Sequence, residues 1–138
     1  MPLRPALAVL LLASAALAGC ATTPIAQCPA DLEPAVGDTL YFGMQRPGGG
    51  VVTDAEWERF LEDTVSVTFP LGFTTWDAQG AWRGREGVLV REGSHVLQVV
   101  HEGDAVNDAA VGGVAEEYAR RFGQEAVLRV RAPVCVGL

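Results

Sequence analysis

Cys28 and Cys135 bracket the part of this chain that can form a core, and joining them would tie the start of a domain to its end. The pairing follows from the third cysteine. Cys20 closes the sequence Leu17-Ala18-Gly19-Cys20, behind Arg4 and an apolar stretch from Ala6 to Leu17 broken only by Ser14. That stretch is too short to cross a bilayer core of ~30 Å, which needs about 20 helical residues. It has the make-up of a secretory signal: a positive start, a greasy middle and small residues before a cleavage point. The thiol of Cys20 is placed for thioether lipidation, which makes it the first residue of the mature protein. The alternatives are ordinary cleavage at Ala16-Leu17-Ala18, which would release a soluble protein, and an uncleaved anchor. With Cys20 given to lipid, an even pair remains in an oxidising compartment. A Cys28–Cys135 bridge would close a loop of ~108 residues and add about 4–5 kcal/mol in the chain-entropy model.

The expected organisation is a signal peptide at 1–19, a lipidated N-terminus and tether at 20–37, and one domain at 38–138. Residues 21–37, rich in Ala, Thr and Pro without periodicity, suit a tether. Ala21 in place of Asp after the cysteine favours the outer membrane, with the domain facing the periplasm, by similarity to lipoprotein sorting in Gram-negative bacteria. Stable anchoring takes two or more acyl chains.

Charge narrows the partners. The mature part holds nine arginines against 17 carboxylates and no lysine. Phosphate neutralisation needs clustered cations, so a nucleic-acid partner is excluded, and adhesion to anionic lipid falls to the acyl chains. Without lysine, Schiff-base and lysine general-base mechanisms are excluded too.

Periodicity gives six elements. Thr39–Met44 is β-prone and is broken by Arg46-Pro47-Gly48-Gly49-Gly50. Thr53 and Glu56 are spaced as a capping box, opening a helix that buries Trp57, Phe60, Leu61 and Val65. A turn at Phe69–Gly72 leads into a strand over 73–82, with Thr74, Trp76 and Ala78 on one face. Arg83–Gly87 reads as a hairpin connection, and Val88–His101 as a long strand bent or bulged at Gly93-Ser94. A helix within Asp104–Phe122 presents Val106, Ala110, Val114, Tyr118 and Phe122 on one face. Gly112-Gly113 is expected to split it, with Asn107 or Asp108 capping a shorter version and Gly123 ending it. A last strand, 126–131, alternates Leu128 and Val130 with Arg129 and Arg131.

The order β-α-β-β-α-β predicts an α+β, ferredoxin-like two-layer sandwich, with antiparallel sheet order 4-1-3-2. That order sets the last strand beside the first, so the topology and the Cys28–Cys135 bridge support each other.

Several segments together carry a resemblance. They are Leu40-Tyr41-Phe42-Gly43, the acidic helix with Trp57 and Phe60, and Phe69-Pro70-x-Gly72-x-Thr74. Further along come Asp77-Ala78-x-Gly80-x-Trp82-Arg83, Arg91-Glu92, and Tyr118-x-x-Arg121-Phe122-Gly123-Gln124-Glu125-x-Val127-Leu128. The chain from Thr39 to the Cys135 region resembles the small exported proteins catalogued as domain of unknown function 3574. Gly93 stands where that family often has proline, and Ala126 where serine is frequent. The resemblance implies no catalytic role.

The residues themselves point to few sites. His95 and His101 share a strand face ~20 Å apart, too far for one metal ion with bonds of ~2 Å. Asp77, Arg91 and Glu92 are expected to form a polar cluster, an ion pair fixing the hairpin or a binding site that would draw on Trp82, Arg83 and His95. Trp76 is expected in the core, and Gln124-Glu125 in turn chemistry. Gly48-Gly49-Gly50 lacks the Lys-Ser or Lys-Thr of a phosphate loop, and no serine is flanked as a nucleophile elbow. No metal and no cofactor are expected. The sequence therefore predicts a membrane-anchored envelope lipoprotein with a non-catalytic binding domain, a homo-oligomer or bound to an envelope protein. The alternative is a small periplasmic enzyme or ligand-binding protein around Asp77, Arg91 and Glu92.

Overall fold

A computed structural model of the protein describes residues 27–83 and 87–137. The lipidation sequence ending at Cys20 and the hairpin tip at 84–86 lie outside the described residues. Among those described, no helix is long and apolar enough to cross a membrane.

The chain runs β1 (Glu33–Gly43), α1 (Asp54–Phe60), a π-helical turn (Leu61–Val65), α2 (Ser66–Thr68), β2 (Thr74–Arg83), β3 (Leu89–His101), α3 (Ala105–Phe122) and β4 (Leu128–Val136). The strands form one antiparallel sheet in the order β2-β3-β1-β4. This is the expected 4-1-3-2 order, and the helices cover one face of it. Cys28 and Cys135 are bridged, with Cα atoms 5.6 Å apart, where β4 lies beside the entry to β1.

Local chemistry explains the helices. The Thr53 hydroxyl accepts from the Glu56 N–H while the Glu56 carboxylate accepts from the Thr53 N–H, completing the expected box. Phe60 and Val65 are both fully buried yet five residues apart, more than one α-turn of 3.6. The π-turn between them rotates Val65 back onto the core side. Phe42 of β1 lies at the centre of that core, against Trp57, Phe60 and Tyr118.

Five sequence expectations are corrected. β1 begins at Glu33, so residues 33–37, expected in the tether, are sheet. β3 carries no bulge at Gly93-Ser94, because its register against β1 and β2 runs unbroken. α3 is one helix through Gly112-Gly113, capped by Asp104, whose side chain accepts from the Asn107 N–H. Val111 takes the inward position expected of Val106, which is 79% exposed. β4 runs Leu128–Val136 rather than 126–131, and of its alternating residues Arg129 lies on the helix-covered face, while Leu128 and Val130 lie on the other.

Candidate functional site

The orientation of β4 is one part of a larger pattern. Thr39 and Tyr41, Gln98 and Val96, Thr74 and Trp76, and Val130 and Leu128 occupy the sheet face opposite the helices. The register aligns Trp76, Val96, Tyr41 and Leu128 side by side across all four strands. Val96 is buried within this row, but Trp76 is 42% and Leu128 62% exposed. Trp76 is therefore not a core residue, contrary to expectation. Val130, Val100 and Trp82 extend the apolar surface along the same face. Charged strand residues on it, Glu33 and Glu92, lie well away from the row's centre.

At one end of that face three separate sequence segments meet around Gly43. The Tyr118 hydroxyl donates to the Gly43 carbonyl at 3.0 Å. Burial pushes the Tyr118 phenol well above its ordinary range, so it stays a donor. A side chain at Gly43 would collide with Glu92, whose Oε1 lies 2.6 Å from the position a Cβ would take; Gln124 Oε1 lies 3.3 Å from it. Glu92 Oε1 also accepts from the Gln45 N–H at 3.0 Å, and Gln124 Nε2 donates to the Gln45 carbonyl at 2.7 Å. That second bond fixes the orientation of the Gln124 amide, since its oxygen could not face another carbonyl oxygen. Sequence reasoning placed Gln124 in a turn. Glu92 was expected to group with Asp77 and Arg91 instead; the signal that joins the set is that Gly43, Glu92, Tyr118 and Gln124 all fall in the segments that carry the family resemblance.

The covered face holds two polar groups. His95 is buried and stacks on Trp57, with ring centroids 4.5 Å apart and planes 7° from parallel. Its Nδ1 lies 2.7 Å from Asp77 Oδ1, while its buried Nε2 has no partner among the described residues. Asp38 is wholly buried and accepts from Arg129 and from His101 Nε2 at 2.8 Å. The Gly103 N–H donates to His101 Nδ1, which assigns the His101 proton to Nε2. Arg129 and Arg131 then reach Asp108 of α3, tying β4 to that helix.

The expected cluster of Asp77, Arg91 and Glu92 is not brought together. Asp77 stands opposite His95 and Arg91 opposite Ala81, ~13 Å apart along the strand direction. Glu92 lies on the other face. Arg83 donates to the Gly87 carbonyl and closes the hairpin, and Trp82 is exposed on the open face. Among the described residues no three His, Cys, Asp or Glu side chains are grouped to hold a metal ion.

A family model described as "Protein of unknown function (DUF3574)" matches residues 37–138. No curated protein is similar enough to the chain to count as a match. Among solved structures, a phage SAM lyase in complex with S-methyl-5'-thioadenosine aligns with a TM-score of 0.56 at 15% identity, over 75% of this chain and 90% of that one. A phage SAM lyase in its apo state aligns with a TM-score of 0.54 at 17% identity, over 76% and 90%. At such identities the likeness is one of fold alone.

Proposed function

The chain belongs to the family of proteins of unknown function DUF3574, and from that footing we propose an exported lipoprotein whose domain is a non-catalytic pairing module. Cys20 carries the lipid, and the domain faces the periplasm from the outer membrane. Its partner is a second copy, met through the uncovered sheet face. We read the two-layer arrangement as ferredoxin-like, a fold whose open sheet face is free to pack on another sheet.

The observation that carries this reading is the row Trp76–Val96–Tyr41–Leu128. An apolar strip across four strands, flanked by further exposed valines and Trp82, marks an interaction surface rather than a solvated one. A second copy fits because the protein is strongly acidic, and two identical acidic molecules can meet without mutual repulsion only where carboxylates are absent. Two such faces would pack ~10 Å apart, as sheets do in sandwiches.

The chain has no lysine for amine-reactive reagents, so the test uses a photo-crosslinking amino acid at position 128 in cells. A crosslinked band at twice the monomer mass, in the membrane fraction and displaced from it by Cys20→Ser, supports both parts of the reading. Crosslinks only to other proteins would refute self-pairing. Membrane retention of the Cys20→Ser protein would refute the lipid anchor.

A further inference from the structure

Arginine is scarce in this chain and unevenly placed. Nine arginines follow Cys20, and three of them, Arg46, Arg59 and Arg121, line one cavity of about 220 Å³ with Glu56, Asp63 and Phe122. The cavity lies on the helix side of the domain, where the loop after β1 meets α1, the π-turn and the end of α3. Aromatic rings steady two of the cations. The Arg46 guanidinium stands 5.5 Å over Phe122, and that of Arg121 stands 5.3 Å over Phe60.

The carboxylates of the cavity are committed, but two of its cations are not. Glu56 accepts from Thr53 through Oε2 and from Arg46 through Oε1. Asp63 accepts from Thr64 and twice from Arg121, whose other donors go to Thr64 and Glu117. Arg46 donates only through Nη2, and its buried Nε has no partner among the described residues. Arg59 forms no hydrogen bond or ion pair with any described residue. Solvent can serve Arg59, which is exposed, but it does not reach the Arg46 Nε. The cavity is thus rich in donors and short of acceptors.

We propose that this cavity binds the carboxylate group of a small organic acid between Arg46 and Arg59. Two carboxylate oxygens match the fork of a guanidinium, and the flexible Arg46 stem can turn its Nε–H toward them. Charge agrees. Arg120 shares Glu117 with Arg121, so the network sets four arginines against Glu56, Asp63 and Glu117, leaving one positive charge for a monoanion. At roughly 30 Å³ per water, the volume is that of about seven waters, room for a carboxylate and a few atoms beyond it. The cavity is away from the open sheet face and does not depend on pairing of the domain.

The test is an NMR titration of the ¹⁵N-labelled mature protein in detergent at constant ionic strength. The probes are lactate, its neutral match lactamide, and inorganic phosphate. The Arg46 Nε–H is shielded from solvent and slow to exchange, so it reports on the site directly. The expected result is a saturable shift of that signal with lactate, at a Kd on the order of 1 mM, and none with lactamide. Arg59→Gln leaves every described hydrogen bond in place and should weaken binding about tenfold. Equal shifts with lactamide, no saturation, or unchanged affinity in Arg59→Gln would each overturn the site. Phosphate binding more tightly than lactate would overturn the assignment to a carboxylate. Loss of pairing would leave all of these results unaffected.

Discussion

Asp38 of β1 lies wholly out of solvent and is gripped by Arg129 of β4 through two parallel hydrogen bonds, 2.7 and 2.8 Å long. This pair sits on the covered face, where the alternation of β4 would otherwise have placed Val130. It explains why β4 is turned over: the arginines face inward to meet Asp38 and Asp108, and the apolar residues are driven to the open face. A buried ion pair is weak evidence for net stability, since desolvation offsets its attraction. Its effect here is on orientation, and the open face is the consequence.

Breaking the pair from one side should be costly. Arg129→Ala leaves a buried carboxylate uncompensated and should destabilise the protein by about 3 kcal/mol, the lower end for such losses because Arg129 keeps some exposure. The double replacement Asp38→Leu with Arg129→Met should cost less than the single one. Urea unfolding of the three proteins checks this; a double variant worse than Arg129→Ala would contradict it.

Acid should destabilise the fold from about pH 4.5 downward. Burial alone would raise the Asp38 carboxyl, but hydrogen bonds from Arg129 and His101 outweigh it and hold the group below its usual 3.8. The Thr53 backbone N–H, the Thr53 hydroxyl and Arg46 pull Glu56 from 4.5 to about 2. Both carboxylates are therefore stabilising above their unfolded values and lose that contribution as pH falls through the lowered ones. Thermal melts from pH 7 to pH 2 should show a decline confined to the acid side of 4.5, and a shallower one in Glu56→Gln.

Reduction should cost more than any single side chain. The Cys28–Cys135 bridge spans a sequence separation of 107 residues, a loop long enough for about 4–5 kcal/mol in the chain-entropy model. Guanidinium unfolding with and without reductant measures it, and an unchanged midpoint would contradict the estimate.

Among the described residues the buried Nε2 of His95 has no partner, and such atoms cost free energy. His95→Phe retains a ring for Trp57 to stack on and should raise stability by up to about 1 kcal/mol. A loss of that size instead would show that the Asp77 hydrogen bond outweighs the orphaned nitrogen.

The elements that read cleanly from sequence are those whose signals are local. The Thr53–Glu56 box, the Gly123 cap and the spacing of Trp57 and Phe60 need no partner elsewhere in the chain. Topology was legible because short connections limit the strand orders available, and the cysteine pair singled out the same one. Sidedness was not legible. Leu128 and Arg129 alternate in the same way whichever faces inward, and the choice is made by Asp38, 91 residues away. Trp76 was misplaced for the same reason. Gly112-Gly113 failed to break α3 because the helix is held along its length by Val111, Val114, Tyr118 and Phe122 packing inward. Of the groups around Gly43 only Glu92 was singled out, and with other partners, because the set joins residues from both sheet and helix end that no local pattern connects.

Pairing of two copies through the uncovered face is read out by sedimentation equilibrium of the mature protein in density-matched detergent. A protein mass of two chains is expected for the wild type and of one chain for Trp76→Glu and Leu128→Glu, with all three equally folded by circular dichroism. A wild type that stays a single chain at the highest concentration reached, or glutamate variants that still sediment as pairs, would contradict it.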